Sequence, residues 1–432
     1  MPIGRIESLD HEARGIARLD GKAIFVDGGL PGEQVEYASF RRKSNYELAH
    51  LVRVIKASTA RVEPPCPHFG VCGGCAVQHM EPMAQVAAKQ RVLEDSLWHI
   101  GRVRPESILP PIQGLPWGYR HRARLAVRKL PKNGGMRIGF HEWRSNYVAD
   151  ISSCIVLAPH VSALLLPLRS LFASLTIAER IQHLEVAVGE RCTALLLRIL
   201  APLTASDEKL LRNFSDRHDV VFYLQPKGPD SIHRFHPLPG PRLSYALPEF
   251  DLELDFHPGD FTQVNHAVNR VLVRRALRLL DPQPGERVAD MFCGLGNFTL
   301  PIARSGTAVL GIEGSSGLVR RARESAKANG LAGLADFAVA NLFECSEQSL
   351  AALGHFDKML IDPPRDGAIE LIRSLGDGAP RRIVYVSCNP ATLARDAALL
   401  VQEKGYRFVS AGAVNMFPHT AHVESIAVFE RT

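Results

Sequence analysis

The stretch of sequence that decides the fold is Asp290-Met291-Phe292-Cys293-Gly294-Leu295-Gly296-Asn297-Phe298. It continues an apolar run over 287–292 that predicts a buried strand, and it leads into a helical pattern over 298–304. The glycines allow a tight turn and let the backbone approach a ligand closely. The turn is shorter than the Gly-x-Gly-x-x-Gly motif of dinucleotide-binding proteins, so the segments around it must decide which cofactor it serves.

Strands and helices alternate along the chain from about residue 256 to residue 432. A helix is predicted over 266–280, ahead of the glycine turn. The predicted strands after the turn are 308–312, 336–340, 356–361 and 382–387, followed by two final strands. The predicted helices between them are 316–329, 367–375 and 391–403. This alternation predicts an α/β fold with a mostly parallel, doubly wound sheet.

Polar residues stand at the ends of successive predicted strands. Glu313 lies about 20 residues after the glycine turn, where an acid can accept hydrogen bonds from ribose hydroxyls. Asn341 could meet the edge of a base, and Asp362 ends the next strand. Each of them alone would be explained as a cap or a turn residue. Together they predict a nucleoside-cofactor pocket, because the carboxyl ends of parallel strands share one crevice. The arrangement resembles class I S-adenosylmethionine-dependent methyltransferases.

A cysteine ends the strand predicted over 382–387. The sequence there is Ser387-Cys388-Asn389-Pro390. A single cysteine at a strand end is most often a small buried apolar residue. Here the predicted pocket lies at the same edge of the sheet, which makes Cys388 a candidate nucleophile. Glu424, further along the chain, is the candidate base.

Residues 1–57 have the pattern of a small all-β module. Short alternating runs over 15–18, 23–26, 34–37 and 47–54 are separated by turn signals, and five strands are predicted in all. This length and spacing favour an OB-like barrel, a frequent binder of oligonucleotides. The run from Phe25 to Glu33 resembles the TRAM domain, an RNA-binding barrel attached to RNA-modifying enzymes.

Residues 58–255 are predicted to form a central domain that carries a cysteine cluster. Cys66, Cys72 and Cys75 follow a C-x5-C-x2-C spacing, and Cys154 is the natural fourth ligand. Four thiolates suit either a [4Fe–4S] cluster or a structural zinc ion. Since zinc usually uses two C-x2-C pairs and only one is present, the spacing favours the cluster. A helix over 81–100, then strands and loops to about residue 255, and a long surface connection over 226–248 complete the prediction.

The composition is that of an ordinary globular protein. Hydrophobic residues make up 46% of the 432 residues and charged residues 22%, with a net charge of +6. The basic run over 119–129 alternates with apolar residues, so its charges could follow one face of a strand and bind a nucleic-acid backbone. The sequence shows no signal segment and no apolar run of about 18 residues. It therefore predicts a cytoplasmic protein without a membrane partner, and nothing in it indicates an obligate protein partner.

Three motifs resemble those of the RNA uracil-5-methyltransferase family. They are Asp362-Pro363-Pro364-Arg365, Ser387-Cys388-Asn389-Pro390 and the run from Phe417 to Ser425, Phe-Pro-His-Thr-Ala-His-Val-Glu-Ser. With the TRAM-like barrel and the four cysteines, the resemblance covers essentially the whole chain and points to the iron–sulfur branch that methylates 23S ribosomal RNA. Only residues 160–250 carry no recognisable motif.

The resemblance implies a fold, an activity and a set of site residues. It implies a class I methyltransferase domain over 256–432, joined to the TRAM barrel and to an iron–sulfur α+β domain. It implies S-adenosylmethionine and a [4Fe–4S] cluster as cofactors and 23S ribosomal RNA as the partner. It makes Cys388 the nucleophile and Glu424 the base. The residues expected to bind the cofactor or hold the uracil are Gln263, Phe292, Asn297, Glu313, Asn341 and Asp362.

The chemistry of uracil gives an independent reason for this pair of residues. C5 of uracil is a weak nucleophile, but addition of a thiolate at C6 creates an enolate whose C5 can attack a sulfonium methyl group. A carboxylate must then remove the C5 proton before the thiol can leave. We therefore expect cationic or dipolar neighbours to lower the pKa of Cys388. We also expect the target base to be flipped out or looped out.

Other functions remain open at this level. A cytosine-5-methyltransferase, or one acting on tRNA uridine, would use the same addition chemistry. An amino-group methyltransferase would carry an aromatic residue after Asp/Asn-Pro-Pro, where this chain has Arg365. A non-enzymatic RNA-binding factor would need the barrel but neither Cys388 nor Glu424.

Overall fold

Five strands at the N terminus close into a barrel. The computed structural model describes residues 1–130 and 135–431. The barrel interior is apolar, with Ile6, Ile24, Val26 and Val35 buried on alternating strand positions. Its neighbour order is β1-β2-β3-β5-β4, and all five predicted strands are present. The strands are β1 (Ile3–Leu9), β2 (Gly15–Leu19), β3 (Lys22–Asp27), β4 (Gln34–Arg42) and β5 (Tyr46–Lys56).

A long helix follows the cysteine segment. Helix α1 (Pro82–Ser96) begins at Glu81, whose side chain accepts a hydrogen bond from Ala84 N, and one π-helical turn (Leu97–Gly101) extends it. This agrees with the predicted helix over 81–100. A two-residue strand, β6 (Ser107–Ile108), comes next and pairs with a strand near the end of the chain.

The middle of the chain forms a six-stranded sheet covered by helices. The strand order is β12-β11-β10-β9-β7-β8. The strands are β7 (Arg122–Lys129), β8 (Met136–Gly139), β9 (Ile181–Val188), β10 (Thr193–Ile199), β11 (Val220–Gln225) and β12 (His233–His236). The helices are α2 (Pro159–Ala163), α3 (Leu165–Ser174) and α4 (Ala205–His218).

Two predictions for this middle region were wrong. After α1 it was expected to be a mixed region of strands and loops, yet its described residues include the helices α2, α3 and α4. Two of them, α3 and α4, supply apolar faces that cover the sheet through residues such as Phe172 and Leu211. The stretch 226–248 was expected to be one long surface connection. It carries β12 and a further short strand, β13 (Ser244–Leu247), whose hairpin partner is β14 (Leu252–Asp255).

The alternating basic run has the predicted geometry. In β7, Ala123, Leu125 and Val127 are buried, while Arg124 and Arg128 are exposed on the other face. Arg124 forms an ion pair with Glu185 of the neighbouring strand, at 2.7 Å. The face is therefore basic but partly neutralised.

The C-terminal half contains the doubly wound sheet. Its order is β17-β16-β15-β18-β19-β21-β20-β6, with β15 to β19 parallel and β21 antiparallel to both of its neighbours. The strands are β15 (Arg287–Met291), β16 (Ala308–Glu313), β17 (Ala335–Val339), β18 (Lys358–Ile361), β19 (Arg382–Ser387), β20 (Arg407–Val414) and β21 (Glu424–Glu430). The helices are α5 (His266–Leu280), α6 (Thr299–Arg304), α7 (Ser316–Ala328), α8 (Glu347–Ala351), α9 (Ile369–Arg373) and α10 (Pro390–Gln402). The predicted α/β alternation is confirmed.

Helices cover both faces of this sheet, and one of them comes from outside the C-terminal half. α5, α6 and α7 share one apolar core with the sheet. On the other face, Leu93 of α1 and Leu97 of its π-helical turn share a core with α9 and α10. The domain boundaries at 57/58 and 255/256 remain predictions. Although α1 and β6 precede residue 256, α1 packs on a face of the C-terminal sheet and β6 pairs with its strand β20. No helix in the described ranges, 1–130 and 135–431, is long and apolar enough to cross a membrane.

Candidate active site

All eight residues predicted for catalysis and cofactor binding line one cavity of about 490 Å³. The cavity lies at the carboxyl ends of the parallel strands, where ligands bind in open α/β sheets. The eight residues are Gln263, Phe292, Asn297, Glu313, Asn341, Asp362, Cys388 and Glu424. The structure thus brings together side chains that are up to 161 residues apart in sequence, although it does not by itself test their roles.

The glycine turn after β15 adopts the conformation that its residues predict. Gly294 and Gly296 have φ values of 56° and 88°, in the left-handed region that glycine enters without steric penalty. Phe292 also has a positive φ, 64°, which is strained for an aromatic residue. Its ring lies 5.5 Å from that of Phe343, and both line the cavity. The turn therefore holds an aromatic wall against the cavity.

Glu313 is held in place by backbone donors. Gly294 N donates to one carboxylate oxygen of Glu313 at 3.2 Å, and Ser315 N donates to the other at 2.9 Å. Each carboxylate oxygen can accept more than one hydrogen bond. The geometry therefore fits an acid that is fixed by the turn and can still accept hydrogen bonds from a ribose.

Asn297 is oriented by two residues that the sequence analysis missed. The amides of Asn297 and Asn269 exchange two hydrogen bonds, at 2.8 and 3.0 Å, and Tyr245 Oη donates to Asn297 Oδ1 at 3.1 Å. Asn269 is buried on the apolar face of α5. A polar residue on that face was the available signal, since a buried amide needs partners.

The register of two antiparallel strands brings Cys388 to Glu424. The ladder between β19 and β21 ends with Ser387 opposite Ser425. One further step in the same register faces Cys388 with Glu424, and opposed residues in such a pair present their side chains on the same face. Asn389 terminates β19 because its side chain caps α10 by accepting from Ala391 N, so Cys388 occupies the turn between strand and helix.

The pKa of Cys388 is shifted in the direction opposite to our expectation. Burial raises it to about 11, and the negative charges of Glu424 and Asp362 act in the same direction. The Arg365 guanidinium and a backbone hydrogen bond lower the pKa of Cys388 by less. The expectation of a depressed pKa was wrong because desolvation of a half-buried thiolate, next to two carboxyl groups, outweighs one cation.

The two carboxyl groups at the site are also perturbed by burial. Glu424 is 6% exposed, and burial followed by the charge of Asp362 raises its pKa to about 8, while Lys89 lowers it. One carboxylate oxygen of Glu424, Oε2, is buried without a hydrogen-bond partner. Burial and Asp290 raise the pKa of Asp362 to about 7. A carboxyl group with a pKa near neutrality is suited to accept a proton and release it again.

A second cavity, of about 890 Å³, opens on the other side of Cys388. Cys388, Arg365 and His422 line both cavities, so the thiol lies between them. The walls of this outer cavity come from the barrel, the cysteine segment, the loop after β8 and the C-terminal half. The cationic and aromatic side chains in the walls, apart from Arg365 and His422, are His11, Arg120, Phe140, His141, Trp143 and Arg144. The sequence analysis singled out none of His11, His141, Trp143 and Arg144, since they lie in turns without a motif.

The four clustered cysteines line one small cavity beside the middle sheet. Cys66, Cys72, Cys75 and Cys154 surround it, together with apolar side chains that include Phe69. Burial raises the pKa of Cys75 to about 12 and also raises the pKa of Cys154. Within residues 1–130 and 135–431, no group of three or more His, Cys, Asp or Glu side chains is arranged to hold a single metal ion.

Known proteins match this chain along its full length. The family model tRNA (Uracil-5-)-methyltransferase matches residues 249–432, and the TRAM domain model matches residues 5–37. A curated protein of Dechloromonas aromatica, 23S rRNA (uracil(1939)-C(5))-methyltransferase RlmD, is 80% identical over 430 residues and is covered completely, as is this chain. The protein of the same name from Azoarcus is 60% identical, again over both full lengths.

The chain belongs to the RNA uracil-5-methyltransferase family, in its RlmD branch. A solved structure of the family has the same overall fold. The Pyrococcus abyssi tRNA (uracil-54, C5)-methyltransferase, in complex with S-adenosyl-L-homocysteine, is 26% identical, with a TM-score of 0.75 and 99% of each chain covered. The family, the α/β methyltransferase fold and the N-terminal TRAM barrel inferred from the sequence are confirmed, and the iron–sulfur character of the central domain stays a prediction.

Proposed function

We propose that this protein transfers a methyl group from S-adenosylmethionine to C5 of a uridine in 23S ribosomal RNA, giving 5-methyluridine. The observation that carries the proposal is the position of Cys388, which joins the cofactor-sized cavity to the outer cavity and faces Glu424 across the β19–β21 register. The two relatives, identical at 80% and 60% of positions, are named for uracil 1939 of 23S rRNA. We infer that the target here is the corresponding uridine.

Cys388 is proposed as the nucleophile. Its Sγ, after losing its proton, forms a bond to C6 of the uracil, and the electrons of the C5=C6 double bond move toward C5 and the neighbouring carbonyl. S-adenosylmethionine, when bound, supplies an electrophilic methyl group on a positively charged sulfur. Arg365 is the protein cation that opposes the raised pKa of the thiol.

Glu424 is proposed as the base of the second half of the reaction. Its carboxylate removes the C5 proton, the electrons of the C5–H bond re-form the C5=C6 double bond, and the C6–S bond breaks to release Cys388. The burial that raises the pKa of Glu424 makes it a stronger base than an exposed carboxylate. The partnerless oxygen of Glu424 is compatible with this role.

The other cavity residues are proposed to orient the two reactants. Glu313 is assigned to the ribose of the cofactor, because its backbone-fixed carboxylate stands at the end of β16. The turn residues Phe292 and Asn297 are assigned to the cofactor, and Gln263, Asn341 and Asp362 to the cofactor or the uracil.

Cys66, Cys72, Cys75 and Cys154 are proposed to hold a [4Fe–4S] cluster. Their sequence spacing and their position around one cavity support this. Structural zinc usually uses two C-x2-C pairs and this chain has one, so the spacing favours the cluster over a zinc ion. Protein purified without oxygen should contain about four irons per chain and acid-labile sulfide.

The remaining assignments concern the RNA. The barrel and the basic face of β7 are proposed to bind the phosphate backbone, which sets position and affinity but leaves the chemistry to the methyltransferase domain. We also propose that the protein acts in the cytoplasm, where its substrate is found, and we keep the division into 1–57, 58–255 and 256–432 as a proposed domain organisation.

The decisive experiment identifies the RNA that is methylated and the nucleoside that is formed. The protein is incubated with labelled S-adenosylmethionine and either a 23S rRNA fragment or tRNA, and the nucleosides are then analysed. Labelled 5-methyluridine in the rRNA fragment is expected, while label in tRNA alone, or in cytidine, would assign a different substrate.

Variants of the two reacting residues test their order of action. Cys388→Ala should abolish both methylation and the covalent protein–RNA adduct. Glu424→Gln should form the adduct, carry the transferred methyl group and then stall, because the C5 proton cannot leave. An RNA with 5-fluorouridine at the target gives a matched control, since its C5 holds no proton and wild-type protein should stall in the same way. Normal turnover by Glu424→Gln would remove Glu424 from the mechanism.

A further inference from the structure

Helix α1 inserts a lysine into the loop that precedes the proposed base. The loop 415–423 connects β20 to β21, and Glu424 is the first residue after it. Lys89 Nζ donates to Asn415 Oδ1 at 2.8 Å and to the carbonyl oxygen of Phe417 at 2.7 Å. The lysine is 326 residues from Asn415 in sequence, so only the packing of α1 on the C-terminal sheet brings it here.

The burial of Lys89 indicates a specific role. The residue is 5% exposed, whereas lysine is almost never buried without a partner, since removing an ammonium from water is unfavourable. Its two hydrogen-bond acceptors are an amide and a carbonyl oxygen, and neither carries a formal charge. Burial lowers the pKa of Lys89 to about 7, and the charge of Glu424 opposes this shift. Asn415, which accepts a hydrogen bond from Lys89, directly follows Val414, and Val414 is paired with Glu424 in the β20–β21 ladder. The lysine and the proposed base therefore lie in one buried region.

Tying the loop in place does not by itself require a cation. Gln85, one helical turn before Lys89, already accepts from His419 N at 2.8 Å and donates to the carbonyl oxygens of Val77 and Met80. Tyr119 Oη donates to the carbonyl oxygen of Pro418 at 2.9 Å. Neutral side chains make all of these ties. Holding the loop therefore does not explain why position 89 carries a lysine and not a neutral side chain.

We propose that Lys89 is a positioning residue for the methyltransferase reaction: it fixes the 415–423 loop and places a positive charge beside Glu424, so that this carboxylate is ionised when the C5 proton must leave. The inference rests on the proposed function, since it concerns only the step that follows methyl transfer. Lys89 does not touch the reacting atoms in this account. It acts through Glu424.

The sign of the effect follows from the groups around Glu424. Asp362, at the end of β18, raises the pKa of Glu424 together with burial, and Lys89 is the cation that lowers it. The charge of Glu424 raises the pKa of Cys388 at the end of β19, and Arg365 lowers the pKa values of Cys388 and His422. The two loop histidines, His419 and His422, have lowered pKa values and are neutral near pH 7. Removing the charge of Lys89 should therefore raise the pKa of Glu424, and proton removal should then need a higher pH.

The test separates the charge from the hydrogen bonds. Lys89→Gln keeps donors for the loop but has no charge, Lys89→Arg keeps the charge, and Asn415→Ala keeps the lysine while removing one acceptor. Proton removal is followed as release of tritium to water from an rRNA fragment carrying 5-tritiated uridine, between pH 6 and pH 9.5. For Lys89→Gln we expect the acidic limb of this profile to move up by about one pH unit, with a rate about tenfold lower at pH 7.

The matched variants give the controls. Lys89→Arg and Asn415→Ala should keep the limb of the wild-type protein, whatever their absolute rates. Gln90→Ala, which removes a hydrogen bond from Ala413 N on the neighbouring position of α1, should keep both the limb and the rate. S-adenosylmethionine affinity and the circular dichroism spectrum, measured for every variant, identify any that fail to fold.

Two results would overturn the proposal. One is a folded Lys89→Gln protein whose acidic limb coincides with that of the wild type, which would reduce Lys89 to a structural tie. The other is an acidic limb that moves in Lys89→Arg, because this variant retains the positive charge. The Lys89→Arg measurement tests the proposal even if Lys89→Gln does not fold. Failure of the proposed function is distinguishable, because wild-type protein would then release no tritium at all.

Discussion

At the scale of single residues, burial sets the proton affinities of the site. The pKa values of Cys388, Asp362 and Glu424 are all raised, and burial is the largest cause in each case. Each group is therefore neutral more readily than its exposed counterpart when no ligand is present. This suits a site that must handle one proton from a thiol and another from C5 of the base.

The thiol of Cys388 should behave as a weak acid in the ligand-free protein. Because its pKa is raised to about 11, the rate of alkylation by iodoacetamide should rise about tenfold per pH unit from pH 7 to pH 10, without reaching a plateau. Mass spectrometry of the peptide that contains Cys388 measures this rate, and Cys388→Ser gives the background. A plateau near pH 8 would show that the protein lowers the pKa of this thiol after all.

Glu313 should contribute a large part of the affinity for S-adenosylmethionine. Glu313→Ala removes the acceptor proposed for the ribose hydroxyls and should weaken binding by about 1.5–3 kcal/mol, the range for hydrogen bonds to a charged group. Isothermal titration calorimetry gives the change directly. Glu324→Ala, an exposed position on α7, is the control and should bind as the wild type does. Full affinity in Glu313→Ala would assign the ribose to another residue.

At the scale of elements, the cysteine-bearing segment also holds the loop before Glu424. His419 O accepts from Ala76 N and Val77 N, at 2.7 and 3.1 Å, and the ring of His419 stacks on Trp117 at 3.8 Å. Ala76 immediately follows Cys75, one of the four proposed cluster ligands. The conformation of the cysteine segment and that of the 415–423 loop are therefore coupled through the backbone.

Loss of the proposed cluster should loosen this loop. In Cys72→Ala or Cys154→Ala, amide hydrogen exchange should become faster in residues 74–80 and 415–423, because the carbonyl oxygen of His419 loses well-placed donors. Exchange in α10, which packs in the core on the other face of the sheet, should stay unchanged and serves as the internal reference. Unchanged exchange in the loop of a variant that has lost its iron would contradict the coupling.

At the scale of the whole molecule, three parts of the chain surround the outer cavity. The barrel contributes His11, the loop after β8 contributes Trp143 and Arg144, and the C-terminal half contributes Cys388. Arg144 also forms a bidentate ion pair with Asp27 of the barrel, at 2.7 and 3.1 Å. The barrel is thereby fixed at the rim of the cavity that leads to the proposed nucleophile.

Arg41, Arg42 and Lys43, which are exposed at the end of β4 and form a basic edge of the barrel, should add electrostatic affinity for RNA. Replacing Arg41, Arg42 and Lys43 with alanine should weaken rRNA binding and reduce the slope of log affinity against log salt by about one per lost phosphate contact. S-adenosylmethionine affinity should not change. Alanine at Lys209 and Arg217, exposed on α4 of the middle part, removes charge at a distant site and is the control. An unchanged salt slope in the triple variant would exclude this edge from the RNA interface.

Much of the architecture can be predicted from the sequence because it depends on local patterns. Apolar periodicity located α5, α6, α7, α9, α10 and strands β15 to β19 to within about two residues, and it placed α5 at the residues where it occurs. The two final strands were expected without bounds, and the short α8 and β6 were not predicted. Turn residues located the glycine turn after β15. Strand-end polar residues could be assigned to one site without any structure, because parallel strands present their carboxyl ends at a common edge.

Only the tertiary structure decided how distant segments complete that site. Lys89 and Tyr245 reach it from outside the C-terminal domain, and the two-residue strand β6 joins its sheet. The side-chain contacts join residues 326 and 52 positions apart, and no local pattern records such packing. The direction of the pKa shift of Cys388 was predicted wrongly for a related reason. Desolvation depends on how much water the folded chain excludes around a group, and that quantity exists only once the surrounding elements are in place.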